Sequence, residues 1–163
     1  MLNRFALIAI VVAAGQLSAG TINVSTTNSG RYFGDGTSSS GYGTGWHSGV
    51  PGEARSFFLF DLTGVSGVVT GATLTLETNP SFSSYISPDP SETFTLFDVS
   101  TSGATLTNGT AGVAGFNDLG TGTQYGSFVA TSATGQFVTI TLNANGIAYL
   151  NSVLGGTAGF GGA

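Results

Sequence analysis

The sequence predicts an all-β fold: a two-sheet antiparallel β-sandwich of jelly-roll type with one short C-terminal helix. Three observations point there. Several short segments alternate polar and apolar residues with a period of two, stretches rich in Gly, Ser, Thr or Pro separate them, and a single late segment has helical spacing. A closed barrel is the alternative that the same signals allow.

The N-terminus reads as a leader rather than as part of that fold. Met1 to Arg4 is a short positive head, and Phe5 to Ala14 is an apolar run about half as long as the roughly 20 residues a helix needs to span a bilayer. Gly15 to Gly20 is small and weakly polar, as a signal-peptidase site requires. Residues 1–20 are therefore expected to be a signal peptide, cleaved after Ala19 or Gly20, and residues 21–163 to be a single domain. No later segment is apolar for long enough to suggest a transmembrane helix.

Taken in order, Thr21 to Thr27 is rich in β-branched residues and reads as the first strand. Asn28 to Gly52 is Gly- and Ser-rich without periodicity and reads as loop, with at most a short strand around Arg31 to Phe33. Glu53 to Leu62 is the strongest strand. Phe58, Phe60 and Leu62 lie on one face and Phe57 and Leu59 on the other, so it is expected to be central and covered on both sides. Ala72 to Glu77 and Thr93 to Val99 alternate as half-buried strands do.

Between these two, Asn79 to Ser91 holds Pro80, Pro88 and Pro90, which cannot donate to a ladder, and reads as loop. Asn108 to Gln124 is another Gly- and Thr-rich loop, anchored to the core by Phe116 and Leu119. Tyr125 to Thr131 and Gln136 to Leu142 are two strands joined by the hairpin-length Ser132 to Gly135, with Val138, Ile140 and Leu142 facing inward. Ile147, Leu150 and Leu154 then give the helix that plugs one end of the fold, with Asn143 as cap and Gly155-Gly156 as stop. Gly159 to Ala163 shows no final strand, which suggests a chain shorter than its fold requires or a frayed end.

Charge and cysteine content narrow the function. There is no Cys, which removes disulfides, thiolate metal sites and a Cys nucleophile. Loss of Arg4 with the leader takes the formal net charge from −5 to −6 and leaves only Arg31 and Arg55 as cations. No basic patch can neutralise a phosphate backbone, so nucleic acid is not a partner. A surface built from Ser, Thr and Asn suits neutral polymers such as polysaccharide.

Four blocks of the chain resemble a family. They are Arg55 to Leu62 followed by Gly71 to Leu76, Glu92 to Thr101, Phe116 to Gly122, and Val138 to Asn151. Together they are similar to secreted β-sandwich proteins sorted by a PEP-CTERM signal in exopolysaccharide-producing bacteria. The resemblance implies an exported protein of the cell surface or extracellular matrix, with no established enzymatic activity. The Pro-Glu-Pro sorting tail of that family does not occur in Gly156 to Ala163, so either the chain is truncated before it or the protein is secreted without an anchor.

The chemistry-bearing residues agree with a non-enzymatic reading. His47, the single His, sits in a Gly/Ser loop, and no Gly-x-Ser-x-Gly elbow surrounds any serine. Asp61, Glu77, Glu92 and Asp98 lie on or beside strands and could form a glycosidase pair, but each also fits a strand edge or turn, and Arg55 could pair with Asp61 or Asp98. Asp35 and Asn117-Asp118 could share a structural calcium, whereas such residues most often bond their own turn backbones. No cofactor is expected. For carbohydrate the candidates are Tyr42, Trp46 and Tyr85, loop aromatics able to form a stacking platform. The competing reading for Trp46 is a ring folded back onto the core.

Overall fold

A computed structural model of the chain describes residues 6–13, 20–46, 52–77, 89–135 and 137–163. In chain order the strands are β1 (Ala6–Ala13), β2 (Gly20–Phe33), β3 (Ser38–Ser40), β4 (Gly45–Trp46), β5 (Glu53–Asp61), β6 (Val68–Glu77), β7 (Glu92–Phe97), β8 (Gln124–Ala130), β9 (Phe137–Thr141) and β10 (Thr157–Gly162). Three short helices join them, α1 (Gly103–Thr107), α2 (Gly112–Asp118) and α3 (Ala144–Ser152). The fold is all-β. One hydrogen-bonded path runs β8-β7-β10-β5-β2-β1-β6-β9, with β3 added to β2 and β4 to β5. Each of these pairings is antiparallel.

The path rolls up until its ends meet. Register shifts between Val11 and Val12, Thr26 and Asn28, and Leu96 and Phe97 bend the strands, because an extra residue on one strand increases local twist. At the ends, Asn143 donates from its backbone to the Tyr125 carbonyl at 2.7 Å and from its side chain to the Gln124 carbonyl at 2.9 Å. A Cβ at Gly126 would stand 2.7 Å from the Thr141 carbonyl oxygen, so glycine permits β8 to approach β9. The result is a nearly closed sheet.

Burial follows the period-two pattern. Ile8, Ile10, Phe58, Phe60, Leu74, Leu96, Ile140 and Phe160 fill the interior of the roll. Phe60 and Phe160 meet edge to face, centroids 5.9 Å apart. The opposite side of β5 carries Phe57 and Leu59, which with Tyr32 form a second cluster under Leu106, Phe116 and Leu119. The central strand is thus covered on both faces, as its sequence predicts, and the outer cover is α1 and α2 with the turn that follows. Phe116 and Leu119 are the core anchors expected of them, but α2 carries Phe116 where loop was expected.

Neither helix has strong propensity, so packing must hold them. The Tyr32 hydroxyl donates to the Leu106 carbonyl at 2.9 Å and accepts from the Ala111 amide at 3.3 Å, joining both helices to the sheet. Asp118 accepts from the Ser100 and Thr101 amides at 3.0 and 2.7 Å and ties the end of α2 back to the entry of α1. Arg55 lies over the Phe116 ring at 4.2 Å and donates to the carbonyls of Phe116 and Asn117, placing a cation at the negative end of α2.

The predicted C-terminal helix is α3. Asn143 accepts from the Gly146 amide as its cap, Gly155 takes φ of 77°, and Ile147, Leu150 and Leu154 pack on the core.

Several expectations are corrected. Asn28 to Gly52 is not a single loop, since β2 continues through Phe33 and β3 and β4 follow; ladder bonds of β2 and β4 to β5, and of β3 to β2, override weak propensity there. Tyr125 to Thr131 and Gln136 to Leu142 do not form a hairpin ladder, because β8 pairs with β7 and β9 with β6. The C-terminal residues form β10, between β5 and β7. Arg55 pairs with Glu53 at 3.2 Å rather than with Asp61 or Asp98. Apart from these corrections, and without bearing on the leader expectation, Ala6–Ala13 of the N-terminal apolar run form β1, between β2 and β6.

Candidate functional site

Of the loop aromatics Tyr42, Trp46 and Tyr85, only Tyr42 has its side chain among the described residues. Tyr42 belongs to the core: its ring meets Phe58 edge to face at 5.1 Å and its hydroxyl donates to the Glu77 carbonyl. A ring buried in this way has no free face for a sugar, which corrects the reading of Tyr42. The backbone of Trp46 pairs with Glu53 in β4. Its side chain, like Tyr85 and His47, lies outside the described residues.

The segment between Tyr42 and β4 is strapped down through Ser56, a buried polar residue of β5. Its hydroxyl accepts from the Gly43 amide at 2.9 Å and lies 3.0 Å from the Thr44 hydroxyl. Thr44 also reaches the Gly162 carbonyl at 3.2 Å.

The carboxylates act locally. Asp61 accepts from the Thr63 amide, Asp35 from the amide and hydroxyl of Thr37, and these bonds hold both acids below the usual carboxylate range. Asp98 accepts from the Thr123 amide at 2.6 Å. Burial alone would raise the Asp118 carboxyl, but the bonds from Ser100 and Thr101 outweigh it and the net shift is downward. The Asp35 and Asp118 oxygens proposed as calcium ligands thus bond to turn backbone. Tyr125 and Tyr149 stack with centroids 5.0 Å apart against Phe160. Burial first, then the Asp98 charge and Tyr149, push the Tyr125 phenol up to about 12.

One face of the roll is organised differently. Because Ile22, Val24, Ala72, Leu74, Leu76, Val138 and Ile140 point inward, the alternate residues of β2, β6 and β9 point out. They are Thr21, Asn23 and Ser25, then Thr73 and Thr75, then Thr139 and Thr141. Register aligns Thr73 with Thr141 and Thr75 with Thr139, whose hydroxyls stand 3.2 Å apart. Neighbouring hydroxyls along a strand are about 7 Å apart and across strands about 5 Å. Beside this array Phe137 is 61% exposed, opposite Glu77. The array carries donors and acceptors, one nearby carboxylate and one open aromatic ring.

The alternation that points Val138, Ile140 and Leu142 inward turns Phe137, Thr139 and Thr141 outward. The missed signal is an aromatic in the outward set of a strand. Comparison with protein-family models, with curated proteins and with solved structures finds no match to this chain. Among the described residues no helix is long and apolar enough to cross a membrane.

Proposed function

We propose that this is an exported, non-enzymatic protein of the bacterial cell surface or extracellular matrix, and that its hydroxyl face contacts exopolysaccharide. The observation that carries the reading is the in-register Thr73, Thr75, Thr139 and Thr141 array with exposed Phe137 at its border. Neutral sugars offer the same mixture of donors, acceptors and weakly apolar ring faces, and an uncharged array does not demand a charged partner. The leader-like N-terminus supports export, and the resemblance to PEP-CTERM-sorted proteins supports the location. On this reading the rolled sheet is a relative of the jelly-roll sandwiches.

The test is binding of the purified protein to a panel of neutral and acidic polysaccharides, comparing the native chain with Phe137→Ala, Thr139→Val and Trp46→Ala. Covering half a phenyl ring is worth about 1.5 kcal/mol, or roughly ten-fold in affinity. That loss is expected for Phe137→Ala. Binding that survives Phe137→Ala and Thr139→Val but disappears with Trp46→Ala would move the site to the loops. Absence of binding to every polysaccharide would remove the carbohydrate reading.

A further inference from the structure

Strand β1 does not match the face it completes. Its inward residues Ala6, Ile8 and Ile10 are fully buried and suit the core. Its outward residues are Leu7, Ala9 and Val11, flanked in register by Ser25, Asn23 and Thr21 of β2 and by Thr75, Thr73 and Gly71 of β6. An apolar stripe therefore runs through an otherwise hydroxyl-bearing surface. A strand shaped by this sheet would alternate aliphatic with Thr or Ser, as β6 and β9 do. The composition of β1 is instead that of a leader, apolar on both sides.

Removal of that leader has a definite structural consequence. β2 and β6 flank β1, and strands two positions apart in a sheet lie about 9.6 Å from each other, too far to pair directly. Without β1, the backbone of β2 from Gly20 to Ser25 and the β1-facing side of β6 from Val68 to Leu76 lose their ladder partners, β6 keeping only its pairing with β9, and the core loses two isoleucines. Two facing open edges above an apolar floor form an acceptor for an added strand.

We infer that the seam between β2 and β6 is a strand-acceptor site, filled after export by an extended segment of a different protein that runs antiparallel to both edges. This inference rests on the leader reading in the proposed function. The segment it takes has aliphatic residues at three alternate inward positions, where Ala6, Ile8 and Ile10 now sit, and Thr or Ser between them. Such a strand would complete both the core and the hydroxyl face.

The experiment uses the full chain with a protease site placed within residues 14–19. After cleavage, a fluorescent peptide of residues 5–14 carrying Leu7→Thr, Ala9→Thr and Val11→Thr is offered in exchange for β1. The expected result is uptake, at least 100-fold weaker when the peptide also carries Ile8→Asp and Ile10→Asp, with the β1-facing amides among Thr21 to Ser25 and Gly71 to Leu76 protected from hydrogen exchange only while the slot is filled. Persistent protection of those amides after β1 has left, without uptake, would mean that β2 and β6 close on each other and would overturn the proposal. So would a stable dimer of the cut chain that excludes the peptide, since a second copy would then be the occupant. The N-terminus of the exported protein is read separately by mass spectrometry. A start near Gly20 or Thr21 is required, and a retained Met1 would sink the leader reading while leaving the exchange result intact.

Discussion

Gly161→Ala is the most informative single change in the sheet, because it asks why a central strand should be written Thr-Ala-Gly-Phe-Gly-Gly. In β10, a Cβ at Gly161 would stand 2.5 Å from the Leu119 carbonyl oxygen and 2.9 Å from the Leu119 carbonyl carbon and Cα. These are backbone atoms of a fully buried residue, so no side-chain rotation relieves the contact. Overpacking of this kind costs about 1–3 kcal/mol. Replacing glycine also restricts the unfolded chain, which offsets about 0.4–1 kcal/mol. The net expectation is a loss of about 1.5 kcal/mol, or roughly 3–6 °C in Tm for a domain of this size.

Gly159→Ala is the matched control in the same strand. There the nearest atom is the Leu59 Cδ2 at 3.4 Å, an ordinary contact with the end of a side chain. Only the unfolded-state term remains, so this variant is expected to be neutral or more stable by up to about 1 kcal/mol. Thermal and urea unfolding of both variants, followed by circular dichroism, measures the difference. If Gly161→Ala proves as stable as Gly159→Ala, the turn at Leu119 does not press on β10, and the account of that strand is wrong.

Three further outcomes are expected. Tyr32→Phe removes a donor to Leu106 and strands the Ala111 amide, so urea unfolding is expected to show a loss of about 1–3 kcal/mol, with faster hydrogen exchange in α1 and α2 than in β9. Asp118 has its folded pKa held below the ordinary 3.8; its contribution is complete above the unfolded value and is lost as pH falls through the folded one. The urea midpoint is therefore expected to fall below about pH 4, and Asp118→Asn to flatten that fall; an unchanged slope would refute the assignment. Ile8→Ala in the uncleaved chain is expected to cost about 2–5 kcal/mol by emptying part of the core, whereas on the leader reading proposed above the protein recovered after export should unfold identically with or without the substitution. A difference between the two exported proteins would show that β1 is retained.

Legibility in the sequence tracked how local the controlling physics is. Strand β5 announced itself through apolar residues on both faces, and α3 through its spacing, its Asn143 cap and its glycine stop, because each signal lies within one element. The helices α1 and α2 were not legible. Their Gly-, Thr- and Ala-rich residues have little helical preference, and what holds them is Tyr32, Arg55 and the outer face of β5, each distant in the chain. β10 was hidden by the glycines that let Leu119 and Phe94 approach it. The candidate face was half legible: alternation turned Thr139, Thr141 and Phe137 outward, but only register set Thr139 beside Thr75.

By itself, then, the amino-acid sequence determined the all-β class, the alternation that divides inside from outside in β6 and β9, the late helix, the absence of thiol chemistry and the acidic, hydroxyl-rich surface. These depend on side-chain type and on periods of two or 3.6, which a linear chain carries openly. Tertiary structure alone decided which strands are neighbours, that Tyr42 is spent on the core, that two weak helices cover β5, and that the N-terminal run fits between β2 and β6. Such outcomes depend on ladder bonds and contacts between residues far apart in the chain, whose partners no local pattern names.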